Sequence, residues 1–310
     1  MSRSVPELVR PPRLAPGARV AVVATSGPVP EERLQLGLDV LRGWGLDPVA
    51  MPHVLDRDPR FGYLAGTDAD RAADLQAAWC DPAVDAVLCA RGGYGVQRMA
   101  DLLDWDAMAA AGPKALVGFS DVTALHEAFA RKLGLVTLHG PMAAGADFVK
   151  SGPAQEMLRA VLFAPETVTT LTAGRTLVGG RAAGVTLGGC LSLLAADLGT
   201  PTARPSAAGG LLFLEDVGEP VYRLDRYLTQ LLRSGWLDGV AGIVLGSWAG
   251  CGDYPAVREL MLDRLGGLGV PVVEEFGFGH CDDGRTIPFG VRAELDADAC
   301  TVVLDGPALD

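Results

Sequence analysis

Residues 115–124 read Ala-Leu-Val-Gly-Phe-Ser-Asp-Val-Thr-Ala. An apolar run of strand type stops at Gly118-Phe119, presents Ser120 and Asp121 side by side, and continues at once into a helical pattern. A continuous apolar strand that feeds a helix directly is the unit of a parallel α/β sheet, buried on both faces. The same junction leaves two readings of Ser120. Ser and Asp are preferred helix caps, because their short side chains accept hydrogen bonds from unpaired amides of the first turn. A serine at such a junction is also where a nucleophile can be placed, provided a base and an orienting acceptor reach it.

The pattern recurs in both directions along the chain. Upstream, VAVVATSGPVP is a strand ended by turn formers, and EERLQLGLDVLRGWG is a helix with a Gly stop. DPVAMPHVL then reads as a strand, DADRAADLQAAWCD as a helix, and DAVLCA as a strand that runs into RGGYG at 91–95. Alternating strands and helices predict an α/β fold, with a flavodoxin-like or Rossmann-like parallel sheet over residues 1–155. The rhythm breaks into Gly, Pro, Thr and polar residues, so 156–175 is expected as a link between domains. Residues 176–310 are expected as a smaller C-terminal α/β domain with a mixed sheet, containing the strand GGLLFLED, the amphipathic helix YRLDRYLTQLLRSGWL and the strand VAGIVLGSW.

Composition narrows the function. The chain has 310 residues, half of them apolar, with a net charge of −12. No basic block interleaved with aromatics is present, which excludes a phosphate-backbone footprint. The amino terminus has positive charges with no apolar run behind them, and no later stretch approaches membrane-span length, so a cytoplasmic protein without a membrane partner is expected. Cys80, Cys89, Cys190, Cys251, Cys281 and Cys300 include no C-x-x-C pair and read as reduced, partly buried residues.

Ligands of open α/β sheets sit outside the carboxyl ends of the strands. Three polar groups fall there: RGGYG, Ser120-Asp121, and Glu215-Asp216. The glycines of RGGYG allow backbone amides to approach a ligand closely, as an anion cradle or an oxyanion hole, although a plain tight turn explains them equally well. GFSDV lacks the second glycine of the G-x-S-x-G elbow, so that motif alone does not make Ser120 a nucleophile. Of the four histidines, His53, His126 and His139 read as structural. His280 lies in the Gly-flanked loop GFGHCDDGRTIPFG, from which a side chain can reach a cleft. Cys190 and Cys281 are weaker nucleophile candidates, because neither has a base beside it in sequence.

Taken in order, ARGGYG at 90–95, GFSDVT at 118–123, LED at 214–216 and Gly279-His280 resemble the LD-carboxypeptidase family of serine peptidases along nearly the whole chain. The resemblance extends to FGYLAGTDADRAADL and LDRYLTQLLRSGWLDGVAGIVLG. It implies a hydrolase that removes the terminal D-alanine from muropeptide tetrapeptides in murein recycling. It further implies a catalytic triad of Ser120, Glu215 and His280, with the amides of Gly93 and Asp121 as oxyanion hole and Arg91, Gly92 and Tyr94 against the substrate. Asp121 would take over the capping. No cofactor and no metal are expected; the expected partners are a small peptide or muropeptide and a second copy of the chain in a homodimer, without nucleic acid.

Family members usually carry Asn where this chain has Cys190 in GGCLSLL, so a contact made by that amide is altered here. A neighbouring branch, the microcin-immunity peptidases, uses the same triad on the amide of aminoacyl-nucleotides. Its members are longer and add an aromatic-bearing loop, which the few aromatics between 150 and 210 argue against. A non-catalytic muropeptide sensor is the third reading, and the presence of all three triad residues argues against it. To select a free terminal carboxylate, an acidic protein needs a local cation. Arg91 is the nearest in sequence, with Arg285 as its rival and a structural ion pair as the alternative role.

Overall fold

The computed structural model describes residues 4–310. The first sheet contains β1 (Arg19–Val23), β2 (Asp47–Ala50), β3 (Ala86–Cys89), β4 (Ala115–Gly118) and β5 (Thr137–His139), all parallel in the order β2-β1-β3-β4-β5. This is the flavodoxin-like order of a doubly wound sheet. Strands β3 and β4 are buried at every position, as expected of central strands covered by helices on both faces. One face packs Leu34, Leu38 and Leu41 of helix Glu31–Gly43, and the other packs Leu75 and Trp79 of helix Asp68–Cys80.

The second sheet is built from β6 (Thr170–Thr172), β7 (Arg175–Val178), β8 (Arg181–Cys190), β9 (Gly210–Glu215), β10 (Gly242–Leu245) and β11 (Val272–Glu274). It is completed by β13 (Arg292–Asp296) and β14 (Thr301–Leu304). Its centre, β8-β9-β10-β11, is parallel, and antiparallel strands flank it, with β13, β14 and β6 on one side and β7 on the other. The domain expected to be the smaller therefore carries the wider sheet, eight strands against the five that residues 1–155 contribute to the first. The helix Val221–Arg233 covers it with Leu224, Leu228 and Leu231, as its amphipathic pattern predicts.

The stretch expected as a link, 156–175, is itself ordered. A helix runs through Gly152–Phe163 and places Leu158, Val161 and Leu162 in the core of the first domain; β6 then opens the second sheet. The Ser-Gly-Pro at 151–153 is the start of that helix. Ser151 Oγ accepts from the Ala154 amide, and Pro153 occupies a first-turn position that needs no donor.

The halves are joined by more than a linker. Strand β12 (Ile287–Phe289), which follows the His280 loop, leaves the second half and pairs antiparallel with β5, with Ile287 opposite His139. Glu127 of helix Thr123–Lys132 forms a buried ion pair with Arg204, 2.7 Å. Thr123 Oγ1 of the same helix accepts from the Cys190 amide at 3.0 Å. These ties bring the carboxyl end of β4 against the carboxyl ends of β8 and β9.

Candidate active site

Ser120 sits at the carboxyl end of β4, in a left-handed conformation with φ 65°. A non-glycine residue there is strained by about 1–3 kcal/mol, and its side chain projects out of the strand-to-helix path, as in a nucleophile elbow. The second elbow glycine is replaced by Val122, and the fit is recovered at Gly118. A Cβ on Gly118 would stand 2.9 Å from Val122 Cγ1 and 3.1 Å from Cys89 Cβ. Ser120 Oγ caps neither the short 3-10 turn Ser120–Val122 nor the helix Thr123–Lys132. It lies instead 3.2 Å from His280 Nε2. Asp121 does cap, but on a different element: its Oδ2 accepts from the Val96 amide, at the start of helix Val96–Met99.

Glu215 is the last residue of β9 and is fully buried. Its Oε2 accepts from His280 Nδ1 at 2.7 Å and from the His280 backbone amide at 3.1 Å. The imidazole is thus fixed with Nδ1–H toward the carboxylate and Nε2 toward Ser120, the tautomer a general base requires. The second oxygen, Oε1, accepts from Cys190 Sγ at 2.8 Å. Phe119 lies edge-on to the His280 ring, centroids 4.9 Å apart, and closes its apolar side.

Electrostatics follow from these contacts. Burial alone would lower the His280 pKa, but the hydrogen bond and charge of Glu215, with Asp216 and Asp147 behind, outweigh it, and the pKa lies above the usual 6.5. Burial would raise Glu215, yet its bond to His280 keeps the carboxyl below its ordinary range. Burial raises the thiols of Cys281 to about 11 and of Cys190 well above 9, which makes both poor thiolate nucleophiles.

The remaining histidines are structural in their contacts. His126 bridges Thr137 Oγ1 and the Gly118 carbonyl, His139 is buried among Phe119, Phe278 and Phe289, and His53 holds Asp74.

The RGGYG turn comes over Ser120 from β3. A Cβ on Gly92 would lie 2.8 Å from Ser120 Cβ and 2.9 Å from its Oγ, so glycine is needed for the approach. Gly93, at φ +126°, faces Gly27, whose backbone a Cβ there would meet at 3.1 Å. The turn forms one wall of a cleft of about 720 Å³ through Arg91, Gly93 and Tyr94, with Arg33, Arg57 and Tyr63 lining it from other segments. Arg91 donates to the Pro28 carbonyl at 2.9 Å and forms no ion pair among the described residues. Tyr63 and Tyr94 are about half exposed, ring centroids 6.0 Å apart. Arg285 is directed elsewhere: its Nη1 and Nη2 reach the carbonyls of Phe276 and Thr172. Arg33 and Arg57 escaped the sequence reading, because they come from a helix start and a distant loop that share no motif with RGGYG.

Two domain families match this chain, the LD-carboxypeptidase N-terminal domain over residues 20–140 and the LD-carboxypeptidase C-terminal domain over residues 183–295. A Streptomyces coelicolor protein whose name assigns it provisionally to the carboxypeptidases is 79% identical over 304 residues, 98% of each chain. The murein tetrapeptide carboxypeptidase of Pseudomonas aeruginosa is 36% identical over 90% of this chain and 93% of its own. Among solved structures, muramoyltetrapeptide carboxypeptidase from Oxalobacter formigenes superposes with a TM-score of 0.80 at 32% identity, covering 94% of this chain and all of the other. The protein MccF in complex with glutamyl sulfamoyl guanosine shares the fold, with a TM-score of 0.87 at 23% identity over 97% and 99% of the two chains. With both of its domains matched in order, and the serine, glutamate and histidine of the resemblance joined by hydrogen bonds, the chain belongs to the LD-carboxypeptidase family.

Proposed function

We propose that the protein is a serine-type carboxypeptidase that hydrolyses the L,D peptide bond to the terminal D-alanine of muropeptide tetrapeptides, in murein recycling. The observation that carries the reading is the unbroken chain Ser120 Oγ, His280 Nε2, His280 Nδ1 and Glu215 Oε2, with steps of 3.2 and 2.7 Å. In this mechanism His280 takes the Ser120 proton as Oγ attacks the scissile carbonyl, then returns it to the departing D-alanine nitrogen. Glu215 holds the ring and stabilises the imidazolium. Water repeats the cycle on the acyl-enzyme. The amides of Gly93 and Asp121 serve as the oxyanion hole, where one donor contributes about 3 kcal/mol.

Arg91, Gly92 and Tyr94 are the substrate-contacting residues of this proposal, joined by Arg33 and Arg57 from the cleft wall. Muropeptide stems carry several carboxylates, and these guanidiniums supply local positive charge in a chain of net charge −12. No cofactor takes part. A cytoplasmic location, where wall fragments are recycled, and a homodimeric state belong to the same proposal; no helix among the described residues is long and apolar enough to cross a membrane.

A second reading, a microcin-immunity-type peptidase acting on the amide of an aminoacyl-nucleotide, is favoured by one observation: the half-exposed Tyr63–Tyr94 pair offers a ring face on which a base could stack. Mass spectrometry of the purified protein with a muropeptide tetrapeptide and, separately, with an aminoacyl-nucleotide separates the two. The expected products are free D-alanine and tripeptide from the first substrate and little change in the second. Ser120→Ala, with an unchanged circular dichroism spectrum, should lower the rate by about 10⁶-fold. Release of D-alanine within tenfold of the wild-type rate by that variant would overturn the nucleophile.

A further inference from the structure

Behind the Ser120–His280 pair, a thiol, a carboxylate and an imidazole converge, the three donor types that zinc accepts. Cys190 Sγ is 2.8 Å from Glu215 Oε1, and His280 Nδ1 is 2.7 Å from Glu215 Oε2. One donor atom from each of Cys190, Glu215 and His280 lies within 4.8 Å of the others. Bonds of about 2.3 Å to sulfur and about 2.0–2.2 Å to nitrogen or oxygen bring ligand atoms to separations on the order of 3.5 Å in a tetrahedral site. The three side chains need only small adjustments to meet that requirement.

The sulfur is held in place. The Cys190 amide donates to Thr123 Oγ1, and Gly189 before it, at φ +131°, could not carry a side chain without meeting Thr123. Cys190 and Glu215 are buried, while His280 is partly exposed to solvent and gives an ion its way in.

We propose that Cys190, Glu215 and His280 form a thiolate–carboxylate–imidazole site for a soft divalent cation of the zinc or cadmium type, and that an ion bound there switches the enzyme off. On binding, the Cys190 S–H bond breaks and its proton leaves to solvent, while metal–sulfur, metal–oxygen and metal–Nδ1 bonds form. The ring proton moves from Nδ1 to Nε2. Nε2–H then faces Ser120 Oγ as a donor and can no longer accept the nucleophile's proton. The metal is an inhibitor in this scheme, and chelator-treated enzyme is fully active. Binding does not depend on the triad mechanism, whereas the inhibition rests on it.

The test titrates cadmium chloride into Ser120→Ala protein and follows the ultraviolet sulfur-to-cadmium charge-transfer band. In parallel, zinc chloride is titrated into wild-type enzyme cleaving the tetrapeptide. One cadmium per chain is expected, with the band lost on adding Cys190→Ser and kept on adding Cys281→Ser. Zinc inhibition should be reversed by chelator and weakened at least tenfold in Cys190→Ser. Should that variant fail to fold, His280→Ala in the cadmium titration takes its place, with binding expected at least tenfold weaker. A band that survives Cys190→Ser, disappears with Cys281→Ser or is indifferent to His280→Ala would overturn the site. Binding without inhibition of an active enzyme would overturn the switch, and an enzyme that binds cadmium but cleaves no tetrapeptide would instead refute the proposed substrate.

Discussion

Gly279 stands directly against Glu215: a Cβ at position 279 would overlap the glutamate carboxylate, and the backbone there has φ +84°, a region that suits glycine. Gly279→Ala therefore has to displace either the carboxylate or the His280 loop. The expected outcome is a fall in kcat of two or more orders of magnitude, on the order of 3 kcal/mol in the barrier, as misplaced catalytic groups produce. Thermal melting should drop by only a few degrees. Steady-state kinetics with an unchanged kcat would show that the loop tolerates the side chain.

On the proposed mechanism, His280 sets the acid limb of the rate profile. Its pKa lies above 6.5 because Glu215 outweighs burial, so kcat/KM should fall as pH drops through a value above 6.5 and the base becomes protonated. Glu215→Gln removes the charge and leaves burial, which lowers the pKa. The limb should move to lower pH while the maximum rate falls. A pH profile of the variant with the limb unmoved or moved upward would contradict this coupling.

The buried histidines make the fold acid-sensitive. Burial lowers His139 to about 4 against the opposing charge of Glu215, with His280 adding a smaller lowering effect, and burial with the charge of His139 lowers His126 to about 3. In the unfolded chain each titrates near 6.5, so the unfolded state binds more protons below that pH. Their stabilisation is present above pH 6.5 and is lost on acidification toward 4 and 3, by about 1.4 kcal/mol per pH unit for each fully titrating group. His139 has neither ring nitrogen hydrogen-bonded to the described protein, so His139→Phe should fold and flatten the slope by one proton. Denaturant melts at pH 7.5 and 5 check it; equal slopes in the two proteins would assign acid lability elsewhere.

Arg91 is the group expected on the terminal carboxylate. Arg91→Ala should cost about 2–4 kcal/mol in kcat/KM on the free acid, and much less on a C-terminal amide analogue. Equal losses on both substrates would make Arg91 a strut of the glycine turn through its bond to the Pro28 carbonyl, and would shift attention to Arg33 and Arg57.

Much of this was legible in the sequence because parallel strands are buried on both faces and read as short apolar runs: β1, β3, β4, β9 and β10 all stand out that way. Strand ends then point to Ser120, Glu215 and the RGGYG turn. The rest depends on contacts between distant segments. Nothing near Ile287-Pro288-Phe289 tells that this three-residue strand crosses to β5, because so short an apolar run carries no periodicity. The positive φ of Ser120 is imposed from outside, by the room that Gly92 and Gly118 leave. The Cys190–Glu215 bond joins two strands whose register is set by a sheet, and sequence spacing does not encode it.

The crossing of β12 has a consequence for dissecting the protein. A fragment ending near residue 155 would leave β5 as a bare edge with its amides and carbonyls unpaired along Thr137–His139, a template for pairing with other chains. Such a fragment should self-associate when expressed alone, and a synthetic peptide spanning 284–292 should compete for that edge. Active chimaeras between family members should be obtained by exchanging β5 together with β12, because a single cut at the apparent boundary separates a strand from its partner.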